Sequence, residues 1–258
     1  MNDSDAEDLL RLAMEAQREF SGYGARAAYA RLEEHYGELG TALSWFFEHE
    51  RLDESLQLTL ATVEFWQATS RIGEGRKLLD RALSFRRTED ALRAEALFQA
   101  GMLAFWQGDD EVARQLHEQS LEPARALADA TQVALALTGI ARIELRTDID
   151  RARALSQQAL DEVGSLDEVR GRSNAFHLQG VAAQMSEHER AIILLSVADR
   201  LMGEQGTAWP PDEAPHFEHA KNAASEALGP ADYERLWSRG QEIAVPDAID
   251  LALSFNAS

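Results

Sequence analysis

The chain has 258 residues and a formal net charge of −20, with 45 acidic and 25 basic side chains. This balance offers no broad basic surface for a nucleic acid backbone or an anionic membrane, so we expect neither as a direct partner. The absence of cysteine excludes disulfides, thiolate catalysis and thiolate metal sites.

The N-terminal stretch is acidic where a secretory signal would need a basic start and an apolar run, since it contains Asp3, Asp5, Glu7 and Asp8. No run of about 18 apolar residues follows anywhere in the sequence. We therefore expect a cytoplasmic protein with no membrane contact.

Apolar residues recur at helical spacing through most of the chain, and signals for strands or tight hairpin turns are nearly absent. This periodicity predicts an all-α fold. The predicted elements are two N-terminal helices, about 4–20 and 24–49, followed by helical hairpins at about 53–85, 89–128, 130–163 and 166–203.

The hairpins are related by an internal repeat. Their second helices align at intervals of 38 or 39 residues as GRKLLDRAL (75–83), ARQLHEQSL (113–121), ARALSQQAL (152–160) and, more weakly, AIILLSVAD (191–199). Their first helices align with the small residues Ala61, Gly101, Gly139 and Gly180 at one position. Because antiparallel helices approach closely only where bulky side chains are missing, this pattern predicts a right-handed α-solenoid of tetratricopeptide-like hairpins.

The periodicity ends where proline becomes frequent, since five of the six prolines follow residue 206. Three shorter helices, at about 212–228, 230–242 and 246–254, are predicted to cover the last hairpin, because a solenoid otherwise leaves an apolar face in water. The predicted domains are a repeat region at 1–206, including the N-terminal helices, and a helical cap at 207–258.

Two motifs in residues 28–84 carry a resemblance to a known family. One is the Leu32-Glu33 and Ala42-Leu43-x-Trp45 pattern, and the other is Phe65-Trp66 followed by the block GEGRKLLDRAL (73–83). The order of these motifs resembles the tetratricopeptide-like C-terminal region of LuxR/AfsR-type bacterial regulators, which are signal-transduction ATPases with numerous domains. The tail at 199–253 is similar to the closing pattern of that region.

In that family the region lies downstream of a nucleotide-binding module and often accompanies a DNA-binding domain. This sequence contains no G-x-x-x-x-G-K-[ST] motif, and the stretch Gly73–Lys77 has the wrong spacing. The resemblance therefore implies a sensing and scaffold region of a bacterial transcriptional regulator, acting in signal transduction without ATP or DNA chemistry of its own.

No motif for catalysis stands out, so we expect a non-enzymatic protein without a cofactor. The pair His216-x-x-His219 could share a metal ion on one helix face, but no third ligand is fixed by spacing, and a solvated polar face is the simpler interpretation. Carboxylate pairs are too frequent in so acidic a chain to identify an acid and a base.

The first helices of the repeats should line the concave face of the solenoid. In the first repeat the register places Thr62, Phe65 and Trp66 near that face; the alternative is that the two rings fill the space between hairpins. The predicted binding residues are Trp66, Phe98, Met102, Trp106, Ile140, Glu144, Asn174, His177, Val181 and Gln184.

A groove with exposed tryptophan and methionine side chains is suited to an amphipathic helix or peptide, so protein binding is the predicted function. Two alternatives remain open at this point. The groove could narrow into a pocket for a small molecule. The chain could also be a structural homodimer that pairs an apolar patch around Trp45, Phe46 and Phe47, so a monomer and a homodimer are both compatible with the sequence.

Overall fold

The computed structural model of the protein describes residues 1–20, 24–85, 90–163, 187–204, 209, 214–244, 247–248 and 251. Within these ranges the regular elements are all α-helices, which confirms the predicted all-α class. The packing divides the chain into two compact units, Met1–Asp129 and Ala130–Ser258. The predicted boundary between the repeats and the cap, at residues 206 and 207, lies outside the described residues.

The first unit contains eight described helices. They are α1 (Asp3–Glu19), α2 (Ala25–Glu34), α3 (Tyr36–Glu48), α4 (Leu52–Ala61), α5 (Val63–Ala68), α6 (Ile72–Phe85), α7 (Ala91–Trp106) and α8 (Asp110–Ala126). The second unit contains five in its described ranges: α9 (Ala130–Glu144), α10 (Ile149–Val163), α11 (His188–Glu204), α12 (Ala214–Leu228) and α13 (Pro230–Glu242).

Helix α1 begins at a capping box, in which the Asn2 side chain accepts from the Asp5 amide and the Asp5 carboxylate accepts from the Asn2 amide. The guanidinium of Arg51 connects α1 to the start of α4, because it donates to Asp3 and Glu7 on one side and to Glu54 on the other. The apolar stripe of α1 packs against α2, α3 and α4, so the N-terminal helices share one core with the first predicted repeat.

Two helices that the sequence predicts as continuous are interrupted by single residues. The predicted helix 24–49 is divided at His35 (φ −98°, ψ 12°), and the first helix of the 53–85 hairpin is divided at Thr62 (φ −109°, ψ 2°). The Thr62 hydroxyl donates to the carbonyls of Leu58 and Thr59. Such back-bonding bends helices, and here it accompanies the break between α4 and α5.

The predicted hairpin 89–128 is confirmed as the packed pair α7 and α8. The two helices run antiparallel, because the Ser120 hydroxyl donates to the Ala94 carbonyl near one end and Gly101 lies against the His117 ring nearer the turn. The turn depends on Gly108, whose φ of +79° favours glycine. Gly101 is thus a close-contact position, as its place in the repeat predicts.

In the second unit, α9 pairs with α10, and α11 packs against α12 and α13. The backbone of α13 comes close to α11 at Gly240, where an added Cβ would lie 2.6 Å from the Ile193 carbonyl oxygen. The Ser196 hydroxyl donates to the Trp237 carbonyl at 2.6 Å in the same contact. The predicted helix 230–242 is present, and the described part of the predicted helix 212–228 is helical over Ala214–Leu228. Most of 246–254 and the first helix of the 166–203 hairpin lie outside the described residues.

None of the helices described in either unit is both long and apolar enough to cross a membrane.

We predict that Gly101→Ala destabilises the first unit. A Cβ at this position would lie 2.7 Å from the buried His117 ring, and overpacking of this kind costs about 1–3 kcal/mol. The gain in helix propensity, about 1 kcal/mol, offsets part of this loss. Urea unfolding would measure the change.

Gly73→Ala is the matched control, because Gly73 lies in a helix and an added Cβ would approach only the end of the Gln107 side chain, at 3.4 Å. We expect this variant to be as stable as the wild type or more stable. Equal stabilisation by both substitutions would contradict the close contact between α7 and α8.

Candidate functional site

A cavity of about 240 Å³ lies among helices α3 to α6 of the first unit. Its lining is mostly apolar, with two glycines on one wall and three polar side chains. The lining residues are Tyr36, Gly37, Leu39, Gly40, Leu43, Leu58, Thr62, Phe65, Trp66, Glu74 and Leu78. Both helix interruptions border it, since Tyr36 directly follows the break at His35 and Thr62 is the break between α4 and α5.

The indole of Trp66 forms the wall between α5 and α6. Only 3% of Trp66 is exposed, and its ring lies so close to α6 that a Cβ on Gly75 would be 2.3 Å from the indole Cε3. Glycine at this position allows the ring to lie against the helix backbone. Trp66 is therefore a packing residue that also lines the cavity.

Helix α3 presents bare backbone to the cavity at Gly37 and Gly40, which are one turn apart and exposed. A Cβ at either position would meet nothing within 4 Å. The carbonyls of these two glycines accept hydrogen bonds from the hydroxyls of Thr41 and Ser44. The wall is thus hydrogen-bonded but unfilled, and a ligand can approach its backbone closely.

Four polar side chains form a connected group at the polar end of the cavity. The Tyr36 hydroxyl donates to the Glu74 carboxylate. The guanidinium carbon of Arg71 lies 4.3 Å from the centroid of the Tyr36 ring. Two nitrogens of the same guanidinium donate to the two carboxylate oxygens of Glu33, at 2.6 and 2.8 Å. These contacts hold the Tyr36 ring and the Glu74 carboxylate in fixed positions.

The electrostatics of this group follow from its contacts. Burial, together with the hydrogen bond to Glu74 and the charge of that carboxylate, raises the pKa of Tyr36 to about 12. The hydrogen bonds from Arg71 lower the pKa of Glu33. Within the described part of the chain no cationic group lies within 4.0 Å of the Glu74 carboxylate, although the charge of Arg71 acts on it from farther away. With Arg71 positive and Glu33 and Glu74 negative, these three groups leave the polar end of the cavity with a net charge of −1.

The predicted residues of the first repeat come together here, because Thr62, Phe65 and Trp66 all line the cavity. The predicted residues of the second repeat do not line the cavity. Phe98 and Trp106 are half-buried, Phe98 beside the His117 ring and Trp106 edge-on to Phe105, and Met102 is only 8% exposed.

In the third repeat, Ile140 and Glu144 are each only 3% exposed. Glu144 has a local role at the turn after α9, where it accepts from the Arg151 guanidinium and the Thr147 hydroxyl, both at 3.3 Å. The predicted residues of the fourth repeat, Asn174, His177, Val181 and Gln184, lie outside the described residues.

The apolar patch proposed for homodimerisation is largely covered within the chain. Phe46 is fully buried, Trp45 stacks on His49 with ring centroids 4.0 Å apart, and the guanidinium of Arg81 lies 4.1 Å from the Phe47 ring centroid. The oligomeric state stays a prediction, but these three side chains do not form a continuous exposed surface.

Tyr36, Gly37, Gly40 and Glu74 line the cavity but are not among the binding residues predicted from the sequence. The pair Gly37-x-x-Gly40 was the available signal, since two glycines one turn apart in a predicted helix leave one face without side chains. No three His, Asp or Glu side chains come together as a possible metal site in the ranges that the structure covers.

We predict that Tyr36 ionises near pH 12, well above the ordinary value of 10.0. Because the folded state holds this proton more tightly than the unfolded state, the stabilisation is complete below pH 10 and is lost as the pH rises from 10 to 12. The difference in tyrosinate absorbance between the wild type and Tyr36→Phe would report this ionisation. A difference that titrates at pH 10 would contradict the partly buried, hydrogen-bonded phenol.

No protein-family model matches the chain, and no curated protein sequence matches it. A solved structure, BtubC (BKLC) from P. vanneervenii, is similar to it with a TM-score of 0.59 and 16% sequence identity. The match covers 88% of this chain and 93% of that chain. At this identity the similarity concerns the fold alone, and it agrees with the all-helical architecture.

Proposed function

We propose that the protein is a non-enzymatic helical scaffold that binds a segment of another protein, and that the cavity between α3 and α6 holds an apolar anchor side chain of that segment. The observation that carries the proposal is this mostly apolar cavity beside an unfilled strip of helix backbone. A preformed apolar pocket with a few fixed polar groups is the common form of a binding site.

The size of the cavity favours a side chain over a whole small molecule. An engineered protein cavity of about 150 Å³ holds benzene, whereas sites for drug-sized ligands measure about 300–1,000 Å³. At about 240 Å³, this cavity matches one aromatic or branched aliphatic side chain. The small-molecule alternative would require a ligand smaller than most such sites accept.

The energetics favour a longer segment around the anchor. Burying one large apolar side chain contributes about 1.5–3 kcal/mol, whereas micromolar affinity requires about 8 kcal/mol. The remainder must come from contacts outside the cavity. The bare backbone at Gly37 and Gly40 provides a place for them, because a partner's backbone can lie against α3 without meeting a side chain.

The wider architecture is part of the same proposal. We propose that the helical hairpins stack as a tetratricopeptide-like solenoid, with the C-terminal helices as its cap. The resemblance to the C-terminal region of LuxR/AfsR-type regulators supports a role in sensing or regulation inside a bacterial cell. In such a role the segment bound by the cavity would belong to a signalling partner.

Gly40→Leu tests the proposal, because the new side chain would occupy the open space beside the cavity. A library of random short peptides displayed on phage would be selected on the full-length wild type, and individual peptides would then be titrated against both proteins. We expect the selected peptides to lose at least tenfold in affinity for Gly40→Leu.

Gly203→Leu is the matched control. Gly203 is also an exposed helical glycine with nothing within 4 Å of an added Cβ, but it lies in α11 of the other unit. This variant should bind like the wild type. Peptides that bind all three proteins equally would contradict the assignment of the cavity.

Trp66→Ala is less informative as a binding test. Removing a buried indole that packs on Gly75 should cost about 3–5 kcal/mol of stability, so lost binding could simply report unfolding.

A further inference from the structure

We infer that the bound segment carries a lysine or arginine close to its apolar anchor, and that Glu74 pairs with this basic residue. The inference rests on the proposed function, because it specifies the partner of the same cavity. Its basis is the balance of charge and hydrogen bonds at the polar end of the cavity.

Three charged groups lie at that end, and two of them neutralise each other. Arg71 and Glu33 form a bidentate ion pair in which both carboxylate oxygens accept from the guanidinium. Glu74 is left with one hydrogen bond, from the neutral Tyr36 hydroxyl to its Oε2 atom. Among the described residues its Oε1 atom has no partner, so a cation from outside could bind there without breaking an existing ion pair.

The position of Glu74 is suited to recognition. It is exposed at the first turn of α6 and also lines the cavity, so a group bound to its carboxylate would lie beside a side chain inside the cavity. The Tyr36 hydroxyl holds the carboxylate, and Arg71 stacks on the Tyr36 ring. A fixed acceptor loses little conformational entropy on binding, which favours recognition at this point.

The negative charge of the chain disfavours an acidic segment, or a second copy of the chain, as the occupant of the cavity. An acidic segment would meet the Glu74 carboxylate, which has no direct ion pair among the described residues, on a chain with a net charge of −20. A second copy of this chain carries the same charge, so its approach is opposed by general repulsion. A basic segment of another protein is attracted both by the whole chain and by Glu74.

The test uses Glu74→Gln, which keeps an acceptor for the Tyr36 hydroxyl and removes only the charge. Peptides selected on the wild type should be enriched in lysine or arginine near a large apolar residue. Their affinity should fall about two- to fivefold in Glu74→Gln, the range for a single exposed ion pair. Replacing the basic residue of the peptide by glutamine should abolish this difference in a double-mutant cycle.

Glu34→Gln is the matched control, because it removes the same charge from an exposed residue of α2 that does not line the cavity. The affinity of the selected peptides for Glu34→Gln should change by less than half of the change in Glu74→Gln. An equal loss in both variants would mean that only overall charge matters, and it would overturn the pairing with Glu74.

The outcomes separate the two proposals. Peptides that depend on Gly40 but show no basic residue and no response to Glu74→Gln would overturn the inference and leave the proposed function standing. Failure to obtain any Gly40-dependent peptide would overturn both. Phe85 is 60% exposed, so its side chain is the one tested as the anchor of a second copy of the chain. If the protein self-associates in sedimentation, and both Phe85→Ala and Gly40→Leu prevent this, then the occupant is a second copy and the assignment to another protein is overturned.

Discussion

Close contact between a helix backbone and a ring or side chain on a neighbouring helix is the constraint on which both units depend. It occurs at Gly75 against the Trp66 ring, at Gly101 against the His117 ring and at Gly240 against Ser196. In each case the space that a Cβ would take is already filled by the neighbour. These contacts set the distance between helices, so the rest of the packing can adjust only around them.

Gly37 and Gly40 differ from those glycines because nothing fills the space beside them. A glycine in a helix interior lowers helix stability by about 1 kcal/mol relative to alanine. At the packed glycines this cost is offset by the contact that the missing side chain permits. At Gly37 and Gly40 no such contact exists within the described part of the chain, as at Gly203, but Gly37 and Gly40 line the cavity, which agrees with a surface that is completed by a partner.

Much of the fold could be predicted from the sequence because helical periodicity and turn residues are local signals. The pair α7 and α8 ends within about two residues of its predicted bounds, and its turn contains a glycine with positive φ. The breaks at His35 and Thr62 were not predicted, since neither residue is a strong helix breaker and the apolar pattern continues across both. Whether such a residue leaves helical geometry depends on tertiary contacts that periodicity does not encode.

The candidate site was predicted only in part, for a related reason. Repeat register assigns a side chain to one face of a helix, and Thr62, Phe65 and Trp66, which it places together, do line one cavity. That this cavity belongs to the concave face of a solenoid stays a prediction. Register does not tell how much of that face a neighbouring element covers, and Met102 and Ile140 are buried although their register matches.

The charge of the whole chain and the Glu74 carboxylate act on different steps of binding. A net charge of −20 attracts a basic segment over distances up to about a Debye length and therefore affects mainly the association rate, which salt should lower. A contact at Glu74 forms only after the anchor has entered the cavity, so it affects mainly the dissociation rate. The two contributions can thus be separated kinetically: Glu74 would act as a local specificity determinant, whereas the remaining acidic surface would concentrate partners without selecting among them.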